Sequence, residues 1–141
     1  MAETIDRTSR AERLMRAYLL LVAILLVPIA LSYGVAPKTV LPKLLDIAVE
    51  GPDQSQIFRA LMCLYLAASA FWAVAAFKPA WQEAATVWAT LFCASLAAGR
   101  VLSLALDGPA SLLLDGYLGL EIFGALLGLA VLVYARRITK R

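Results

Sequence analysis

The chain has 141 residues, of which 62% are hydrophobic and 16% charged, with a formal net charge of +3. Soluble domains carry about 45–50% apolar and about 25% charged residues, so this composition argues against a water-soluble enzyme and leaves room for a single domain. No histidine is present, which removes the commonest transition-metal ligand, the usual haem ligand and the usual proton shuttle near neutral pH.

Apolar runs of about twenty residues, the length that crosses a hydrocarbon core at 1.5 Å per residue, recur four times. The first covers about 14–33 and contains Pro28, which membrane helices tolerate. It reads as a retained anchor rather than a cleaved signal peptide, because it is long for an h-region and Ala30-Leu31-Ser32 is a poor cleavage box. The connection from Gly34 to Gln56 follows. Within it Val40, Leu41, Leu44, Leu45 and Ala48 recur at helical spacing, so either a short amphipathic helix on the outer surface or a covering loop packed on the bundle is expected. The second span covers about 57–77 and stops at Lys78-Pro79. The third covers about 81–106 and halts at Asp107-Gly108-Pro109, a tight turn. The fourth covers about 111–134 and runs into Arg136, Arg137, Lys140 and Arg141. The expected fold is an all-α integral membrane four-helix bundle, one domain over 1–141.

Lysines and arginines flanking the spans set the orientation. Arg7, Arg10, Arg13 and Arg16, Lys78 and the four basic residues of the tail place nine on one side, against Lys38 and Lys43 on the other, with Arg59 just inside the second span. Both termini are therefore expected in the cytoplasm. Tyr18, Trp72, Phe77, Trp81 and Tyr134 fall near the inner interface, and Tyr33 and Tyr117 near the outer one.

Cys63 and Cys93 form no C-x-x-C pair and are expected to pack as small hydrophobes. No nucleotide-binding or zinc-protease motif occurs; neither cofactor nor nucleic acid is expected. Membrane lipids are the expected partners, with other membrane proteins or further copies of the chain beside them.

Three ionisable residues stand inside spans, where each costs roughly 2.5–3.5 kcal/mol to insert. Helical rise places Arg59, Arg100 and Glu121 about 3, 9 and 14 Å below the outer boundary. Cys93, Arg100, Ser103 and Asp107 share one stripe of the third span. Tyr117, Glu121, Gly124 and Gly128 share one of the fourth. The short turn makes these spans antiparallel neighbours, so Arg100 and Glu121 are expected to neutralise each other, leaving Arg59 for Asp107, Asp115 or a bound anion such as a lipid phosphate. The candidate polar site is thus Arg59, Arg100, Ser103, Asp107 and Glu121. A pair that merely fixes helix register, with Arg59 snorkelling, is the structural alternative. Gly116, Gly119, Gly124 and Gly128 are expected at close helix contacts.

Tyr33-Gly34 with Pro37, Phe58-Arg59-Ala60 with Tyr65, Gly99-Arg100 with Ser103, Asp107-Gly108-Pro109 with Ser111, and Glu121 together resemble a family of small bacterial four-helix membrane proteins known only as a domain of unknown function. The resemblance runs from about Leu31 to Leu132. It implies the four-helix fold, a bacterial inner-membrane setting and a shared site of Arg59, Arg100, Asp107 and Glu121, and it brings no activity. The expected function is that of a non-enzymatic membrane protein, an accessory subunit or a binder of lipid or a small amphiphile. A small proton-coupled transporter using Glu121 is the alternative; a permanent cation beside that carboxylate counts against it.

Overall fold

The computed structural model describes the backbone of residues 2–139 and the side chains of residues 9–138. It is all-α: α1 (Ala2–Gly34), α2 (Pro37–Leu45), α3 (Pro52–Ala75), α4 (Pro79–Asp107) and α5 (Leu112–Thr139). Four of these are long and apolar enough to cross a membrane, over Ser9–Gly34, Pro52–Ala75, Pro79–Asp107 and Leu112–Ile138. By that length and composition the chain is a multi-pass membrane protein.

Prolines set the helix starts. Pro37, Pro52 and Pro79 each occupy the first turn of their helix, where the missing N–H costs nothing and the fixed φ suits the helix. This explains why α3 begins ahead of the apolar run expected from about 57. Gly51 and Pro52 open it, and the Gln54 side chain accepts from the backbone N–H of Glu50 at 2.7 Å and of Gly51 at 3.4 Å. Pro28 lies inside α1. The expected short helix after the first span is α2. It stands on the bundle with Pro37, Leu41 and Leu45 buried, whereas Leu44 is exposed. Asp46 ends it in the left-handed region at φ 55°, so Ala48 falls outside.

Packing is centred on α1, which touches every other helix. Its buried positions, among them Met15, Leu19, Val22, Leu26, Ala30 and Tyr33, recur at the three- and four-residue spacing of one helix face. Around it α3 meets α4 and α4 meets α5, while among the described residues the backbones of α3 and α5 stay apart.

Three of the aromatic residues expected near the interfaces are core residues: Tyr18, Trp72 and Tyr33 are 2%, 1% and 7% exposed. The Tyr18 hydroxyl donates to the Gly124 carbonyl at 3.1 Å, which satisfies its polar end inside the bundle. Phe77, Trp81 and Tyr134 are exposed. At this end Arg16 donates to the Ala76 carbonyl at 3.1 Å, Lys78 lies over the Trp81 ring and Arg136 pairs with Glu83 at 2.8 Å. Of the basic residues used for orientation, Arg7, Lys140 and Arg141 lie outside the described side chains.

Candidate functional site

The site is built on the α4–α5 hairpin. Gly108 adopts φ 92°, a value L side chains rarely adopt, and Pro109 follows, so the chain reverses within Gly108 to Ser111 before α5 begins. Contacts along the hairpin run in opposite directions: Arg100 meets Glu121, a Cβ at Gly124 would lie 3.0 Å from Cys93 Sγ, and one at Gly128 would meet Thr90. The two stripes expected from helical periodicity therefore face each other.

Arg100 donates from Nε to both Glu121 oxygens, at 2.9 Å to Oε1 and 2.8 Å to Oε2. Both side chains are largely covered, 21% and 11% exposed. The guanidinium carbon lies 5.6 Å from the centre of the Tyr117 ring, and Tyr33 of α1 also interacts with Arg100. Tyr33 stacks on Phe58 and meets Tyr65 edge-on, and Tyr65 meets Phe92. An aromatic wall from α1, α3 and α4 thus encloses the pair. Only one of the five N–H donors of Arg100 is used by Glu121.

The remaining candidates divide. Ser103 donates to Asp107 at 2.9 Å on the exposed end of α4, one turn beyond the pair. Arg59 is not part of this group. It lies on α3 and bonds neither Asp107 nor Asp115; with Lys38 it lines a separate cleft of about 490 Å³ between α2 and the first two turns of α3. The five residues are therefore distributed over one ion pair, one neighbouring hydrogen bond and one isolated cation.

Two spaces adjoin the ion pair. An apolar cavity of about 60 Å³ is walled by α1, α3, α4 and α5, including Leu26, Tyr65, Trp72, Phe92, Cys93 and Glu121. A more polar cleft of about 340 Å³ lies between α4 and α5, with Arg100, Ser103, Asp115 and Gly108 in its walls. Leu96 lines both, so the salt bridge stands at the partition. Sequence reasoning did not assign Tyr33, Tyr65 or Lys38 to a site. In the sequence Tyr33 reads as an outer-interface residue, and Tyr65 enters only among the residues that carry the family resemblance. No spacing rule pairs Lys38 with Arg59; the proline-marked starts of α2 and α3 are the one hint.

Other expectations also divide. Cys63 is exposed, while Cys93 is partly buried against Gly124. Gly124 and Gly128 sit at close contacts, whereas nothing lies within 4 Å of where a Cβ would stand at Gly116 or Gly119. Among the described residues no cluster of acidic or cysteine side chains has the arrangement of a metal site.

Four membrane-length helices define a multi-pass membrane protein, here with a largely covered Arg100–Glu121 pair. Residues 14–132 match the domain of unknown function DUF4345, and the chain belongs to that family. No curated protein and no solved structure matches it.

Proposed function

We propose that this is a non-enzymatic integral membrane protein that binds a lipid or another small amphiphile at the site built on Arg100 and Glu121. The observation that carries the reading is the position of the salt bridge: Arg100 lines a cleft of about 340 Å³, room enough for a small head group, and Glu121 lines a small apolar cavity on the other side of Leu96, so a polar anchor stands beside apolar side chains. Because Glu121 already balances Arg100, with Asp115 in the cleft wall, a neutral or zwitterionic head suits the site better than an anionic one. The basic bias supports both termini in the cytoplasm and the site toward the outer leaflet, and the resemblance to a bacterial family implies the inner membrane. Association with further copies or with a larger assembly fits the broad apolar surface of α4. Proton-coupled transport through Glu121 is less well supported, since Arg100 engages both carboxylate oxygens.

The test is native mass spectrometry of the protein purified in mild detergent, compared with an Arg100→Gln/Glu121→Gln double variant that leaves no charge unpaired. A bound amphiphile on the wild type that is lost from a cooperatively melting double variant is the expected result. Identical bound lipids on both would reduce the pair to a device for helix register.

A further inference from the structure

A second concentration of polar chemistry lies away from the α4–α5 hairpin. The cleft of about 490 Å³ between α2 and α3 has Lys38 and Arg59 in its walls together with Thr39 and Ser55, and no carboxylate lines it. Neither cation forms an ion pair among the described residues. The nearest acids in sequence, Asp46, Glu50 and Asp53, are not in its lining.

Helix electrostatics sharpen the imbalance. Lys38 stands in the first turn of α2, which has no acidic residue there and no side-chain cap from Ala36. A helix start carries partial positive charge and favours an anion, so a lysine there is unfavourably placed unless an anion joins it. Pro52, at the start of α3, lines the same cleft. Ser55 is 5% exposed and its hydroxyl already donates to the Gly51 carbonyl at 3.3 Å, so the two cations are left to supply the donors. Two exposed cationic side chains beside the uncapped start of α2, in a cleft with no carboxylate in its lining, make a place for a compact polyanion, and guanidinium with ammonium is the donor set that phosphate oxygens take.

We infer that the cleft lined by Lys38, at the start of α2, and Arg59, two turns into α3, binds a phosphate group, separately from the Arg100–Glu121 site. The occupant is a phospholipid head or free phosphate; both present the same oxygens. Arg59 lies within the candidate membrane span Pro52–Ala75, in its first half.

The experiment compares the wild type, Lys38→Gln, Arg59→Gln and the double variant in detergent micelles containing equal amounts of phosphatidylglycerol and phosphatidylcholine, with bound lipid counted by native mass spectrometry. Preferential phosphatidylglycerol binding by the wild type, falling about fivefold for each charge removed, identifies a lipid head group. In a second arm, inorganic phosphate is titrated at constant ionic strength and melting is followed. Stabilisation of the wild type but not of the double variant, without lipid preference, identifies free phosphate as the occupant. Lys38→Gln changes an exposed side chain and keeps the test readable should Arg59→Gln not fold. Glu121→Gln retains this anion preference even where the amphiphile at the other site is lost. A folded double variant with unchanged lipid selectivity and an unchanged response to phosphate overturns the inference.

Discussion

Glu121 and Glu83 carry the same charge and each meets an arginine Nε at 2.8 Å, yet their surroundings differ. The Arg136–Glu83 side chains are 57% and 59% exposed, and pairs of that kind contribute about 0–1 kcal/mol. The Arg100–Glu121 pair is largely covered, and removing the carboxylate charge leaves the guanidinium without its counter-ion. Glu121→Gln is expected to destabilise the protein by about 1.5–3 kcal/mol, and Glu83→Gln by less than about 1 kcal/mol. Thermal melting in one detergent checks the difference; equal melting temperatures would contradict it. Gln82 is a further polar residue inside the bundle. It is 0% exposed and its Nε2 donates to the Ala76 carbonyl at 2.8 Å, which Arg16 also meets. Together they satisfy the carbonyl just past the end of α3.

At the scale of the helices, contact is governed by small residues. Met62 crowds Gly34 where α3 meets α1, and Gly128 lies under Thr90 and the Tyr18 hydroxyl. Gly128→Ala inserts a methyl group into that crossing and is expected to cost about 1–3 kcal/mol. Gly119→Ala enters open space and is expected to stay within about 0.5 kcal/mol of the wild type. Paired melting curves check both; a Gly128→Ala variant as stable as Gly119→Ala would show that the crossing yields. Periodicity in the sequence identifies the facing stripes of α4 and α5, because a short turn leaves them one arrangement. It does not distinguish the four glycines of α5, since a stripe tells which way a residue points but not how near the neighbouring backbone comes. The start of α3 is likewise hidden: Gln56 and the residues before it are polar, and only Pro52 with Gln54 marks the helix before the apolar run begins.

For the molecule as a whole, the four long helices are legible because hydrocarbon thickness demands a run that few other structures need. The contact order among them is not. Composition gives no reason for α1 to touch every other helix, nor for Arg59 to line a cleft beside the start of α2 while Tyr65 of the same helix lines the cavity beside Glu121. Depth along a span is readable from rise per residue, whereas position around the bundle depends on which faces pack. The basic bias predicts that a reporter fused at the C-terminus and one placed between α2 and α3 report opposite sides of the membrane, the C-terminal one cytoplasmic. Reporters on the same side would overturn the four-span topology.

The turn at Gly108 and Pro109 also bears on how the chain enters the bilayer. Arg100 and Glu121 belong to consecutive helices, so the arginine emerges from synthesis only 21 residues ahead of its counter-ion. If α4 partitioned alone, it would carry an unbalanced cation at roughly 2.5–3.5 kcal/mol. Entering as a hairpin, the two helices bring a cancelled charge and need no partner from α1–α3 to neutralise it. The smallest insertion unit of the second half of this protein is therefore the hairpin rather than the single helix.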